Sequence, residues 1–268
     1  MNSGTHIESH GGELVDLAVD HERNELLKDL AMTLPDVALN ERQLCDLELL
    51  SNGVFSPLEG FMVRSDYEAV LDRMRLQNDL IWPMPICLDV SEMTGKSLET
   101  GQSVALRDPE GFLLAVMHIE DIWPIDKQKE AQQVYGTTDN HHAGVRYLFD
   151  KTGDYYVGGK LEVLNLPIHF DLKKLRMTPA EVRAFYQKMG WKRIVGFQTR
   201  QPIHRAHFEM TIKAMQRAKA NLLILPVTGV SQPGDFDHYT RVRCYRAITP
   251  HYPPESVLLN LLPLSMRM

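Results

Sequence analysis

The stretch RIVGFQTRQPIHRAH (193–207) decides how this chain is read. RIVGFQ (193–198) is a short apolar strand and TRQ (199–201) is the turn after it. Pro202 opens a helix expected over 203–220, where its fixed φ suits the first turn and its missing N–H is no loss. His204 and His207 then stand one above the other on one helical face. The order repeats downstream, with NLLILPV (221–227) as a second strand, 239–248 as a helix and 257–262 as a third strand. Near-continuous apolar strands alternating with helices imply a parallel sheet covered on both faces. Upstream, Thr178, Pro179 and Glu181 spell a capping box with proline at the first helical position. Val182, Phe185 and Met189 follow at helical spacing until Gly190 stops the helix.

Before about residue 170 the texture differs. Short apolar runs are cut by Gly, Pro and Asp in IWPMPICLDV (81–90), SVALRDPEGFLLAVMHIEDIWPI (103–125) and VGGKLEVLNLPI (157–168). Asp108-Pro109-Glu110-Gly111 separates two β-rich runs and reads as a hairpin turn. Residues 1–170 are therefore expected to form a mixed, mainly β domain with helices near 40–50, 65–74 and 127–135, and residues 171–268 an α/β domain. A length of 268 residues accommodates two such domains.

The net charge of −6 excludes nucleic-acid binding through bulk positive charge. Cys45, Cys87 and Cys244 are too scattered for a disulfide framework or a metal knuckle, so a reducing cytoplasm is the expected compartment. The N-terminus lacks a cationic start followed by an apolar core, and no run of about 20 apolar residues suits a membrane span. Neither nucleic acid nor membrane is an expected partner.

Parallel sheets present ligands at the carboxyl ends of their strands, where helix N-termini supply free N–H groups and a positive dipole end. At the 197–207 junction a guanidinium, two imidazoles and an amide gather at such an end, a pocket suited to a polyphosphate. The spacing of His204 and His207, with no acidic partner beside them, argues against a protein-bound metal. Elsewhere the plainer readings prevail. Asp235, His238, Arg241 and Arg243 fit an approach to the nucleotide, but a helix start with exposed arginines explains them at least as well; His141-His142 reads as a solvated loop and SNGVFSPLEGFM (51–62) as a packed turn.

QTRQPIHRAH (198–207) resembles the Q-T-R-N-P-x-H-R-A-H substrate loop of the ATP sulfurylase family. SHGGELVDL (9–17), LSNGVFSPLEGFM (50–62), VTGVSQPGDFDHYTRVRCY (227–245) and LLPLSMRM (261–268) resemble further stretches of that family in the same order. The resemblance implies a PUA-like, mainly β N-terminal domain over 1–170 and, over 171–268, a Rossmann-like nucleotidyltransferase domain with a parallel sheet. It implies sulfate adenylyltransferase chemistry, in which ATP and sulfate give adenosine 5′-phosphosulfate and pyrophosphate. By motif position, Gln198 and Arg200 would hold sulfate and also reach ATP. Thr199 and Gln201 would line the reacting α-phosphate, and His204 and His207 would steady the α- and β-phosphates and the departing pyrophosphate.

Mg²⁺ would arrive as Mg-ATP, with no tightly bound cofactor, and the full-length form would be a homo-oligomer. Two departures stand out. The family has Asn where this chain has Gln201, and its Gly-Arg-Asp-His-Ala-x-Pro-Gly motif would follow the stretch matching LLPLSMRM. The catalytic domain is thus expected to be incomplete here. The alternative is a truncated non-catalytic paralogue or fragment that binds anions or pairs with a complete subunit.

Overall fold

The computed structural model describes residues 7–230 and 234–265. Parts of the stretches 227–245 and 261–268, namely residues 231–233 and 266–268, lie outside the described residues. The chain divides into a unit of residues 15–167 and a second unit of residues 168–265 together with 7–14.

The first unit runs α1 (His21–Ala31), β1 (Asp36–Ala38), α2 (Glu41–Ser51), β2 (Gly60–Phe61), α3 (Arg64–Arg73), β3 (Leu88–Val90), α4 (Glu92–Ser97), β4 (Ser103–Arg107), β5 (Leu113–Pro124), α5 (Lys127–Tyr135), α6 (Ala143–Asp150) and β6 (Tyr155–Val163). Its sheet has the order β1-β4-β5-β6-β2, with β3 also on β6; β1 is parallel to β4 and the other pairs are antiparallel. The β4–β5 hairpin closes where expected. Gly111 (φ 90°) donates to the Asp108 carbonyl at 3.0 Å, and the Asp108 carboxylate accepts from Phe112 N–H at 2.7 Å. Only glycine adopts that φ without strain.

Val104, Leu106, Leu114, Met117 and Val157 form the solvent-free centre of this sheet. β6 lies so close to β5 that a side chain on Gly159 would run into the His118 carbonyl oxygen. Beneath the sheet the buried Glu130 accepts from the hydroxyls of Tyr67 (3.0 Å) and Tyr156 (2.9 Å). At its surface Glu162 bridges Arg23 (2.7 Å) and His118 (2.6 Å), and the Arg23 hydrogen bond above all holds its carboxyl down at about 2. His142 differs from expectation: it is the N-cap of α6, its Nδ1 accepting from Val145 N–H at 3.4 Å and its ring lying 5.0 Å from that of Tyr135. An imidazole nitrogen satisfies one of the helix's unpaired N–H groups, which a solvated histidine would not do.

In the second unit a 3₁₀ turn (Lys173–Leu175) precedes α7 (Pro179–Lys188), β7 (Ile194–Thr199), α8 (Arg205–Ala218), β8 (Asn221–Pro226) and α9 (His238–Ile248). A second 3₁₀ turn (Thr249–His251) leads to β9 (Val257–Leu259). The three strands are parallel in the order β7-β8-β9. The capping box of α7 is formed, Thr178 and Glu181 bonding each other's backbone N–H. On one sheet face Met215, Tyr245 and Tyr252 pack on Leu222, Ile224 and Leu259. On the other, Val182, Tyr186 and Trp191 pack on Ile194, Leu223 and Leu258.

Coverage of that second face is partial, because α7 reaches only the strand beginnings: Gly196 and Gln198 are exposed. β9 also ends earlier than expected. Asn260 follows it, its amide grasping both Met177 N–H (2.8 Å) and Met177 C=O (2.9 Å), while Leu261 N–H donates to Leu175 C=O at 2.6 Å.

Candidate functional site

The β7–α8 junction turns on one hydroxyl. Thr199 Oγ1 donates to Gln201 C=O at 2.8 Å and accepts from Gln201 N–H at 3.2 Å, bending the chain off the strand immediately after Thr199. Pro202 and Ile203 precede the helix instead of opening it. His204, with extended backbone (φ −95°, ψ 173°), is the N-cap of α8, and its Nδ1 accepts from Ala206 N–H at 3.2 Å. The expected helix start thus moves two residues on, because an imidazole acceptor caps the helix where the proline was assigned that place.

His204 and His207 do meet. Their rings stack with centroids 3.8 Å apart and planes at 27°, and Phe197 lies 5.7 Å from the His207 ring. Since His204 Nδ1 is an acceptor, the proton of its neutral ring sits on Nε2. His207 Nδ1 is buried without a hydrogen-bond partner, so its neutral ring also favours a proton on Nε2, where the donor is not wasted. The pair then offers two N–H donors at the positive end of a 14-residue helix.

The turn is held from α9 and the residues before it. Asp235 Oδ1 lies 3.3 Å from Arg200 Nε and 3.2 Å from Gln201 Nε2. The Asp235 side chain is 3% exposed against 31% for Arg200. One turn apart on α9, Arg241 Nη1 donates to Val227 C=O (2.9 Å) and Arg200 C=O (3.3 Å), and Tyr245 Oη donates to Gln201 C=O (2.9 Å). Burial pushes the Tyr245 phenol up, keeping it a neutral donor. Next to this bracket His238 is driven down, by burial first and then by the Arg176 charge.

Of the residues singled out from the sequence, Thr199, Arg200 and Gln201 share one hydrogen-bonded turn and His204 and His207 follow it as a stacked pair. Gln198 does not join them. Strand alternation sends its side chain to the sheet face opposite Thr199, and it is exposed. Arg241 corrects an expectation: it is 3% exposed, not a solvated arginine, because two backbone carbonyls need its donors, while Arg243 is exposed as anticipated. Asp235 and Arg241, left open from the sequence between a nucleotide contact and a plain helix start, belong to this bracket, and Tyr245 is the member not singled out. The signal was an arginine in helical register with Tyr245 on a stripe that also carries Val242. Among the described residues no group of three or more His, Cys, Asp or Glu is placed to hold a metal ion, and no helix is long and apolar enough to cross a membrane.

Comparison with known proteins adds the following. The PUA-like domain family matches residues 7–166 and the ATP-sulfurylase family residues 173–268. A sulfate adenylyltransferase of Coccidioides immitis is 51% identical over 263 residues, and one of Gibberella zeae 49% identical over 263 residues. In each case 97% of this chain and 46% of the relative are covered, so the chain spans about half the length of the curated relatives it matches. A solved structure described as a hexameric APS kinase from Thiobacillus denitrificans superposes with a TM-score of 0.80 at 35% identity, over 96% of this chain and 47% of that one.

Proposed function

The chain belongs to the ATP-sulfurylase family and carries its PUA-like domain, and on that premise we propose that it takes part in adenylyl transfer from ATP to sulfate, giving adenosine 5′-phosphosulfate and pyrophosphate. The observation that carries the reading is the clamped turn Thr199–Gln201 running into a helix N-terminus topped by two stacked imidazoles.

Sulfate is already an anion, so the reaction needs no general base to make the nucleophile. The work is to hold two mutually repelling anions in line and to stabilise charge at the α-phosphorus. Arg200 supplies a planar, permanently charged donor for sulfate. The Nε2–H groups of His204 and His207 supply donors to the α- and β-phosphate oxygens and to the leaving pyrophosphate. Thr199 and Gln201 act through the turn they close beside the α-phosphate, the N–H and C=O of Gln201 both being engaged within it. Gln198 is assigned to sulfate and ATP by its motif position.

Mg²⁺ fits as part of the Mg-ATP substrate, coordinated by phosphate oxygens and water, because the described residues offer Arg and His donors at the junction and no carboxylate cluster. We place the chain in a reducing, cytoplasmic compartment, its three cysteines not joined in disulfides. The hexameric description of the solved APS kinase structure supports a homo-oligomeric full-length form.

The test is sulfate-dependent release of pyrophosphate from Mg-ATP by the parent chain and by Arg200→Ala. A sulfate-dependent rate that falls at least about a hundredfold in the variant is expected; an unaffected rate removes Arg200 from the site. A second reading, binding of anions without turnover, is favoured by the side-chain amide of Gln201 being turned onto Asp235. Sulfate and ATP binding with no pyrophosphate release would select it.

A further inference from the structure

Asp235 lies at the centre of the anion turn, yet it carries the charge of the substrate. Its Oδ1 approaches both Arg200 Nε (3.3 Å) and Gln201 Nε2 (3.2 Å), and its side chain is almost fully withdrawn from solvent. A carboxylate beside an anion site weakens anion binding by repulsion unless it does something that offsets this. We propose that Asp235 is a positioning residue: it fixes the plane of the Arg200 guanidinium through its Nε edge and parks the Gln201 amide, so that the turn meets an oxyanion in one conformation. The inference deepens the adenylyl-transfer reading and rests on it.

Three features support the role. First, one oxygen receives two side chains from consecutive residues, so a change in the Asp235 rotamer alters both contacts at once. Second, Asp235 is anchored by its place just ahead of α9, whose N-cap Asp237 accepts from Thr240 N–H at 2.9 Å, and whose Arg241 and Tyr245 hold the backbone of the same two residues. Side chains and backbone of Arg200 and Gln201 are thus gripped by one segment. Third, the glutamine matters. With asparagine at 201 the amide would withdraw by about one C–C bond, ~1.5 Å, and the 3.2 Å contact would open beyond hydrogen-bond range. The departure at Gln201 and the carboxylate of Asp235 are therefore two halves of one arrangement.

Geometry and charge can be separated by choice of variant. Gln201→Asn and Asp235→Glu keep every charge and disturb the fit. Asp235→Asn keeps an Oδ1 acceptor in place and removes the charge. The full chain, with arginine side chains labelled with ¹⁵N, is titrated with inorganic sulfate. Two quantities are read: the dissociation constant, and the ordering of the Arg200 Nε–H by relaxation.

Expected are sulfate binding about tenfold weaker in Gln201→Asn and Asp235→Glu, with a less ordered Arg200 Nε–H, and an Asp235→Asn chain that binds at least as tightly as the parent. Parent-like affinity and parent-like Nε–H ordering in both charge-preserving variants would overturn the inference while leaving Arg200→Ala to report on the site. A parent chain with no sulfate response would sink the anion-turn reading and this inference with it. Gln201→Asn alters no core residue, so loss of fold in the Asp235 variants does not leave the question open.

Discussion

The carbonyl of Gln201 has two donors, and this makes the site measurable by a double-mutant cycle. Tyr245 Oη reaches it at 2.9 Å and Thr199 Oγ1 at 2.8 Å. Tyr245→Phe removes one hydroxyl and keeps the solvent-free ring, so no cavity opens, and the carbonyl still has Thr199. The cost is that of a net hydrogen bond, about 1 kcal/mol. Thr199→Val is nearly isosteric, but it also strips the acceptor from Gln201 N–H, which raises its cost to about 1–2 kcal/mol. Together the two variants leave a half-buried carbonyl with neither donor, and the desolvation penalty avoided in each single variant appears, about 1 kcal/mol beyond the sum.

The assay is urea unfolding of parent, single and double variants, followed through ¹⁹F-labelled tryptophan, because the Trp191 resonance reports on the second unit while Trp82 and Trp123 report on the first. Each 1 kcal/mol also lowers the melting temperature of a domain of this size by about 4–8 °C. Additivity within about 0.3 kcal/mol, or a Tyr245→Phe cost above about 3 kcal/mol, would refute the shared-acceptor reasoning.

Two further outcomes concern the first unit. Glu162 is held at about 2, below the carboxylate's ordinary 4.5, by Arg23 chiefly and His118. Its contribution to stability is therefore fully present above about pH 5 and is lost as pH falls from there toward 2; Glu162→Gln should flatten the melting temperature against pH across that window, and parallel curves for parent and variant would contradict the assignment. Gly159→Ala should lower stability by at least about 2 kcal/mol, seen as a reduced melting temperature or insoluble chain, because the added methyl meets the His118 carbonyl of the paired strand; a parent-like melt would show that the β5–β6 contact yields.

Much of the second unit could be read from residues with strong local consequences. Thr178-Pro179-Ala180-Glu181 announces a helix because each of its residues answers a particular need of the first turn, and α7 begins there. Asp108 to Gly111 announces a hairpin for a similar reason. The helices α1 and α4 escaped because they bury little, Leu27 and Ala31 in α1 and Gly95 in α4, and α6 because its N-cap is a histidine, which carries no local mark of a helix start.

In the candidate site the turn and the paired histidines were legible, but three things were not. His204 as a cap depends on its own backbone angles. Gln198 falling on the far face depends on where the strand's alternation is counted from. Arg241 and Asp235 are separated from the turn by about 35–40 residues, and a charged residue in a helix carries no local mark of whether water or a distant carbonyl receives it.

The grip of Asn260 on Met177 has a bearing on solubility. Among the described residues β9 is the outer strand of its sheet, and an outer strand offers an open ladder to any other extended chain. Here residues 175–177 bind the chain just past the end of β9, Leu175 taking the N–H of Leu261 and Met177 taking both ends of the Asn260 amide. The lead-in to α7 is thus a stop set at the end of that border, contributed by a segment more than 80 residues away in the chain. A chain in which this stop lifts leaves the Leu261 N–H and the Asn260 amide open to another extended segment.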